Sequence, residues 1–381
     1  MKRIYWRPKH VSRTVLLLVA VLASVGMAAV ELLPRRVEQP MLAEKLAAAR
    51  LSQAAMAALR EEHLRRGLPI DPVSDPANTG MIGIAMSPVT SNTGHLAAKQ
   101  TSTDPNFAAV IVELLRRAGV EKGDRVGVAF SGSFPSLNVS VLAALQTMGL
   151  KATIISSASA SQWGANNPSF LWVDMEKTLA DRGMWAYHSS AASIGGVDDR
   201  GLGMPKEGRD NIDEAIERVG LTPLRPKTFA QSLDLRMQVF EREAGEAGYA
   251  AYINVGGGAT SVGTAIGKRL FRPGLNRRPP AQYEAPDSVM MRMGHAGVPV
   301  IHLTQVDALA ERYGLAVHPT NTPRVGVGSI YYRNEHDPRK AVAVLLAVLV
   351  LLYVFVRSDW GFRMLPQRSS GGRGGQPEPM V

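Results

Sequence analysis

The stretch that decides the fold is residues 125–168, RVGVAFSGSFPSLNVSVLAALQTMGLKATIISSASASQWGANNP. Residues 125–130 form a short apolar run without polar alternation, which is typical of a strand buried on both faces. Residues 138–148 carry apolar side chains at helical spacing, and Gly149 is suited to ending a helix. Residues 151–157 predict a second strand, which a βα unit of this length places parallel to the first.

A polar loop follows each of these two strands, SGSFPSLN at residues 131–138 and SSASASQWGANN at residues 156–167. In a parallel sheet the loops at the carboxyl ends of the strands form the ligand crevice. Both loops are rich in small hydrogen-bonding side chains, so we predict a binding site there. The candidate ligand-binding residues in these loops are Ser131, Ser133, Ser136, Asn138, Gln162, Trp163 and Asn166.

A third loop, GGGATSVG at residues 256–263, follows another predicted strand at residues 249–255. Three consecutive glycines permit backbone conformations that form a nest for a carboxylate or phosphate, and nearby hydroxyls add donors. Close packing of the loop against the strand explains the glycines equally well. The candidates here are Gly256, Gly257, Gly258 and Ser261.

The rest of the middle region alternates strands with helices, including strands near residues 185–190 and 298–303. This order predicts an α/β domain over residues 76–338, with three layers and a mostly parallel sheet. Residues 34–75 contain a long Ala-rich helix and a Pro-rich linker, and we interpret them as a helical stalk.

Two apolar segments, residues 14–33 and 339–357, predict one transmembrane helix at each end of the domain. A cleaved signal peptide is the alternative for the first segment, and a buried core helix for the second. Lysines and arginines before the first segment and after the second favour cytoplasmic tails, residues 1–13 and a disordered 358–381. We therefore expect a protein of the bacterial cytoplasmic membrane with two spans in the lipid bilayer and an extracytoplasmic main domain.

Composition excludes several kinds of site. The chain of 381 residues has no cysteine, which rules out a disulfide framework, a thiolate zinc site and a cysteine nucleophile. It contains no GxxxxGK[ST], GxSxG or HExxH motif, so we expect neither metal nor cofactor, and the catalytic residues, if any, are unknown. Asp198 and Asp199 form the best acidic pair, and a turn accounts for them.

Three further residues are candidates for chemistry. Lys99 lies near Thr101 in a Ser/Thr-rich loop, where a lysine acts as the base of a Ser–Lys hydrolase, clamps a carboxylate, or is simply solvated. His295 and His302 flank a predicted strand and are either site bases or hydrogen-bonded core histidines.

The segment KRLFRPGLNRRPP, residues 268–280, is strongly basic. An acidic polymer or anionic lipid headgroups are the partners that suit it, and a solvated loop is the alternative. Because we expect the domain outside the cytoplasm, we expect no nucleic acid. The residues that would attract a polymer are Lys268, Arg269, Arg272, Arg277 and Arg278.

Four of these motifs together resemble the poly-γ-glutamate system protein family. They are AKQTSTDPNFAAVIVELL, SGSFPSLNVSVLAALQTMGL, ISSASASQWGANNP and INVGGGATSVG, in this order between the two apolar segments. The resemblance implies an accessory membrane protein of bacterial poly-γ-glutamate synthesis and export. It implies as partners the polymer and the membrane proteins of the synthase and export complex, and it assigns no role to any residue.

Two classes of function follow from the resemblance and the polar loops. In the first, the chain is a non-catalytic component that binds or guides the anionic polymer. In the second, the α/β domain is a hydrolase or transferase that acts on the γ-glutamyl amide through its polar loops.

Overall fold

A computed structural model describes residues 13–263, 267, 269–280 and 286–357. The chain divides into two compact units, Glu38–Tyr332 and the pair of end segments Met1–Val37 and Arg333–Val381. Most of the two predicted tails and Lys268 lie outside the described residues.

The described helices and strands alternate through the middle of the chain, as the sequence predicts. The helices are α1 (Arg13–Leu32), α2 (Leu42–Arg65), α3 (Leu96–Ser102), α4 (Phe107–Ala118), α5 (Pro135–Met148), α6 (Trp172–Asp181), α7 (Lys206–Arg218), α8 (Phe229–Ala244), α9 (Ala259–Val262), α10 (Val289–His295), α11 (Val306–Tyr313) and α12 (Pro338–Arg357). The strands are β1 (Arg35–Glu38), β2 (Thr90–Asn92), β3 (Arg125–Ser131), β4 (Lys151–Ser157), β5 (Ala160–Ser161), β6 (Asn166–Asn167), β7 (Phe170–Leu171), β8 (Ala191–Ser193), β9 (Thr222–Leu224), β10 (Ala251–Val255), β11 (Gly274–Asn276), β12 (Val300–Leu303) and β13 (Tyr332–Glu335).

The domain is built on a seven-stranded sheet in the order β11-β12-β10-β3-β4-β8-β9. Every pair is parallel except β11 with β12, so the prediction of an α/β fold with a mostly parallel sheet is confirmed. From β3 the chain first builds outward through β4, β8 and β9, and it later returns to place β10 on the other side of β3. The sheet therefore has its topological switch point between β3 and β10, where open α/β sheets bind ligands.

The unit β3–α5–β4 forms as its local signals predict. Seven residues of β3 pair in parallel with seven of β4, from Arg125 opposite Lys151 to Ser131 opposite Ser157. Helix α5 begins with Pro135 in its first turn, where a proline costs no hydrogen bond, and ends at Gly149 with a left-handed φ of 65°. The predicted strand at residues 185–190 is wrong, because the chain enters the sheet only at β8.

Helices cover both faces of the sheet. Along β10, Ala251, Ile253 and Val255 belong to one hydrophobic cluster, and the intervening Tyr252 belongs to another. The first cluster is completed by α2, α4 and α5, and the second by α8 and α10. The alternation follows from the two-residue period of a strand, and it explains why the strands are apolar throughout.

Helix α2 is part of the core of the domain, which corrects the interpretation of residues 34–75 as a stalk. It packs against α4, α5 and α6, and its Ala48, Ala55 and Leu59 side chains are fully buried. The Lys45 ammonium lies 2.9 Å from the Glu113 carboxylate on α4. An Ala-rich helix has the same spacing of apolar residues in a stalk and in the core of a domain, so the sequence alone did not distinguish the two.

In the other unit, α1 and α12 pack against each other and β1 pairs with β13. A Cβ built on Gly26 would lie 2.4 Å from Cγ1 of Val344, so the helices approach closely where the side chain is absent. Among the described residues, only Pro338–Phe355 in α12 is long and apolar enough to cross a membrane, and the apolar part of α1, Leu16–Leu32, is shorter. Length and composition are weak grounds for a span, so the two predicted spans stay a prediction.

A buried carboxyl group joins α6 to the segment before β8. The backbone N–H and the hydroxyl of Ser189 lie 3.0 and 3.1 Å from the carboxyl oxygens of Glu176. Burial raises the pKa of Glu176 to about 7, and the hydrogen bonds from Ser189 offset only part of this effect. The carboxyl group is therefore protonated in the folded protein at pH 5.

We predict that Glu176 makes the folded protein less stable as the pH rises from about 4.5 to about 7. Because the unfolded chain loses this proton at lower pH, the contribution is full below pH 4.5 and lost above pH 7. The shift corresponds to roughly 3 kcal/mol. Melting temperatures between pH 5 and 8 should therefore fall more steeply in the parent than in Glu176→Gln, while Glu217→Gln, an exposed control, should follow the parent. Equal slopes for Glu176→Gln and the parent would contradict this origin of the pH dependence.

Candidate functional site

A cleft opens at the switch point, at the carboxyl ends of β3, β4 and β10. The part of it that a water-sized molecule can occupy is about 10 Å³. Its polar lining comes from Ser131, Ser157, Asp199, Arg236, Asn254 and Ser261. The cleft is thus small and polar, and it is built from the loops in which the sequence predicts a site.

The predicted loops 131–138 and 256–263 lie side by side. Gly256 follows β10 with a φ of 79°, which favours glycine, and a Cβ built on it would lie 3.5 Å from Cβ of Ser131 and 3.4 Å from Cδ2 of Phe134. Ser131 is 7% exposed and lines the cleft, as do Gly258 and Ser261. Gly257 is exposed and is not part of the lining.

Within the first loop, Ser131 faces the cleft, and Ser133 and Asn138 hold the loop in shape. The N–H of Ser133 donates to Oγ of Ser131 over 3.2 Å, and Nδ2 of Asn138 donates to the carbonyl of Ser131 over 3.0 Å. Ser136 and Asn138 are buried, and the Ser136 hydroxyl and Asn138 Oδ1 have no hydrogen-bond partner among the described residues.

The loop at residues 156–167 packs on the loop at residues 131–138. Of its own residues, only Ser157 lines the cleft. The N–H of Ala165 donates to the carbonyl of Gly132 over 2.8 Å, and the N–H of Ser161 donates to Oγ of Ser133 over 3.0 Å. A Cβ built on Gly164 would lie 2.8 Å from the carbonyl oxygen of Gly132. The two loops therefore approach each other through glycines.

Gln162, Trp163 and Asn166 hold the segment at residues 83–94. Asn166 donates to the carbonyl of Ile84 over 2.7 Å and accepts from its N–H over 2.9 Å. Gln162 Oε1 accepts from the N–H of Gly94, and the left-handed Trp163 exchanges backbone hydrogen bonds with the same segment. The structure does not bring these three candidates into the cleft.

Lys99 is 2% exposed, so its interpretation as a solvated lysine is wrong. Its ammonium donates to the carbonyl of Ser133 and to Oγ of Ser161, the latter over 2.9 Å, and lies 3.8 Å from the ring centroid of Phe134. A carbonyl oxygen and an aromatic face are both favourable partners of an ammonium group. Thr101 also has local partners, since it donates to Ala97 and accepts from His318.

The two histidines have different surroundings. His302 is fully buried in β12, and its Nδ1 lies 3.0 Å from Nδ2 of Asn254, a cleft residue that also donates to the carbonyl of Gly256. His302 therefore supports the floor of the cleft as a hydrogen-bonded core histidine. His295 is exposed at the end of α10, before β12 begins, and does not line the cleft.

Sequence reasoning missed the charged centre of the cleft, a buried ion pair between Asp199 and Arg236. The two groups are 2.9 Å apart and each side chain is 3% exposed. Asp199 does lie in a turn, since it and Asp198 have left-handed φ angles of 60° and 54°. Its carboxylate also accepts from the hydroxyls of Ser193 (2.7 Å) and Ser232 (2.5 Å), so every oxygen has partners.

One sequence signal marks Arg236. It stands three residues after Leu233 and four before Phe240, on the apolar stripe of α8 that the domain buries. A charged residue at a buried position requires a partner, so this placement predicts an ion pair. The partner comes from a loop 37 positions earlier in the chain, and no local pattern identifies it.

The basic segment does not form one cluster. Because β11 runs antiparallel to β12 with Gly274 opposite His302, the preceding Arg272 lies beyond the carboxyl end of the sheet, where the cleft is. Arg277 and Arg278 follow Asn276, which pairs with Val300, and they lie toward the opposite end. Arg269, Arg272, Arg277 and Arg278 are all exposed.

Comparisons with known proteins identify no relative. No family model matches the chain, and no curated protein matches it. A solved structure, the crystal structure of an archaeal alanine:glyoxylate aminotransferase, aligns with 89% of this chain and 68% of its own at 12% identity, with a TM-score of 0.15. A score this low supports no conclusion about fold or function.

We predict that Gly164→Ala destabilises the protein by about 1–3 kcal/mol, because the new methyl group overlaps the backbone of Gly132 and Ser133. Gly258→Ala is the matched control, since its Cβ meets nothing within 4 Å and its φ of −56° is ordinary. Thermal or urea unfolding of the two variants measures the difference. If Gly164→Ala is as stable as Gly258→Ala, the close packing of the two loops is not a constraint.

Proposed function

We propose that this chain is a membrane-anchored accessory component of bacterial poly-γ-glutamate biosynthesis and export. In this proposal two membrane spans hold it in the cytoplasmic membrane, and its extracytoplasmic α/β domain binds or guides the anionic polymer. The observation that supports the proposal best is the meeting of two polar loops at the switch point around a cleft that contains an arginine.

The chemistry of the polymer suits this cleft. A γ-linked chain of glutamate carries one free α-carboxylate on every residue. Carboxylates bind guanidinium groups and hydroxyls through charge-assisted hydrogen bonds, and the lining offers Arg236 together with Ser131, Thr260 and Ser261. An exposed arginine at the same end of the sheet, Arg272, adds a longer-range attraction for a polyanion.

A second candidate is a hydrolase or transferase that acts on the γ-glutamyl amide. The observation in its favour is the distance of 2.9 Å between Nζ of Lys99 and Oγ of Ser161, which is the contact of a Ser–Lys pair. The Lys99 ammonium also contacts the carbonyl of Ser133 and the ring of Phe134, and Ser161 does not line the cleft. Binding without cleavage is therefore the function that we favour.

The test uses the full chain in detergent micelles and poly-γ-glutamate of defined length. Immobilised protein should retain the polymer, and the polymer recovered after prolonged incubation should keep its length. Shortening that Ser161→Ala abolishes would establish the enzyme instead. Failure to retain poly-γ-glutamate at low ionic strength would reject the proposed binding function.

We predict that Arg272→Gln weakens retention of the polymer at 0.15 M salt more than Arg278→Gln, its matched control at the opposite end of the sheet. Electrostatic attraction reaches about 8 Å at this ionic strength and about 30 Å at 0.01 M, and six residues of chain span at most roughly 20 Å, so the two variants should become alike as salt is removed. Retention measured across this salt series checks the prediction. If both variants lose the same amount of polymer retention at 0.15 M salt, the end of the sheet at which the arginine lies has no influence on binding.

We predict that the domain is outside the cytoplasm and that both tails are inside. The chain has no cysteine, so a single introduced cysteine shows on which side of the membrane its position lies. Ala230→Cys, exposed at the start of α8, should react with a membrane-impermeant thiol reagent in intact spheroplasts, and Ser370→Cys in the tail should react only after permeabilisation. The reverse pattern would invert the proposed topology.

A further inference from the structure

We propose that Arg236 is the ligand-binding group of the cleft and that the site takes one singly charged carboxylate. This inference goes beyond the proposed function, because it holds for any molecule that presents such a carboxylate. It assigns a binding role to a residue that lies outside all of the predicted loops.

Arg236 has one nitrogen, Nη1, that is available to a ligand in the cleft. Its Nε and Nη2 donate to Asp199, and Nη2 also donates to Ser157 over 3.0 Å and Ser193 over 2.6 Å. Its Nη1 donates to no residue that the structure describes, although the side chain is 97% buried by the protein and lines the cleft. Nη1 is not fully enclosed by the protein, so it is open to the cleft, where an anionic oxygen can accept a charge-assisted hydrogen bond from it.

The surroundings hold the guanidinium in one orientation. Asp199 binds two of its nitrogens, and the hydroxyls of Ser157 and Ser193 fix Nη2 from β4 and β8. An arginine fixed in this way loses little conformational freedom when it binds a ligand. Nη1 is therefore a preorganised donor.

Ser131 supplies a second donor to the same cleft. Its Oγ already accepts from the N–H of Ser133, and its own proton is not donated to any described residue. Ser131 and Arg236 both line the cleft, so a carboxylate there can accept from a hydroxyl and from a guanidinium.

The charge of the cleft selects a singly charged ligand. Among the described lining residues, only Arg236 and Asp199 are charged, and their charges cancel. A doubly charged phosphate would have one charge opposed by the Asp199 carboxylate and no further cation to compensate it. Because the two charges cancel, every negative charge that a ligand brings is uncompensated, so a carboxylate with one charge costs less than a doubly charged phosphate and still gains a charge-assisted hydrogen bond from Nη1.

The experiment measures binding of three probes to the full chain in detergent micelles by isothermal titration calorimetry. N-acetyl-L-glutamine has one carboxylate between two amides, its α-amide derivative has the same shape without the charge, and inorganic phosphate has the wrong charge. We expect saturable 1:1 binding of the acid, and binding at least tenfold weaker for the amide and for phosphate at matched ionic strength.

Variants connect the binding to Arg236. Arg236→Gln should weaken binding of the acid at least tenfold. Because it leaves Asp199 buried without its partner, a second variant, Gly258→Leu, fills the cleft from a position whose Cβ meets nothing within 4 Å. Gly258→Leu should abolish binding and Gly258→Ala should retain most of it, with circular dichroism confirming that each variant is folded.

Failure of this inference is distinguishable from failure of the proposed function. If the parent does not bind the acid at millimolar concentration, or if folded Gly258→Leu binds it as the parent does, Arg236 is only a structural ion-pair partner. If Gly258→Leu retains poly-γ-glutamate as well as the parent, the polymer binds elsewhere and the carboxylate site is rejected as its receptor. If the acid binds at Arg236 and the polymer is not retained, the proposed function fails and the site stands.

Discussion

The parallel pairing of β3 with β4 on one side and β10 on the other is the constraint on which the site depends. Connections that leave β3 and β10 at their carboxyl ends must diverge, because the chain winds outward in opposite directions from this point. Divergence opens a crevice between the loops, and small residues such as Gly256 let the loops approach its base. The cleft is thus a product of topology, and the side chains only determine what it accepts.

The polar residues around the cleft separate into two groups with different physical roles. Lys99, Ser133, Gln162 and Asn166 make their hydrogen bonds to neighbouring loops and fix loop geometry. Ser131, Asn254 and Arg236 line the open space. A sequence rich in hydroxyls and amides after a strand does not reveal this division, because both roles require the same residue types. The number of polar residues therefore overestimates the size of the binding surface.

Local signals predicted the fold around β3, α5 and β4 well, since an apolar run, Pro135 and Gly149 each act within a few residues. A general rule of parallel sheets places the loops after β3 and β10 at the same end of the sheet, but the pairing of β10 with β3 is set by the strand order. The role of α2 and the partner of Arg236 were missed because both are set by tertiary packing. An Ala-rich helix is compatible with a stalk or a core, and Asp199 becomes important only when the fold brings it to α8.

The pairing of β1 with β13 has a consequence for how the domain is attached to the rest of the chain. Neighbouring strands lie about 4.8 Å apart, so the polypeptide enters and leaves the domain at almost the same point. A domain with adjoining ends can be grafted into a surface loop of a carrier protein without stretching either one. Residues 38–332 are therefore suited to production as an insert, free of the apolar helices that complicate purification.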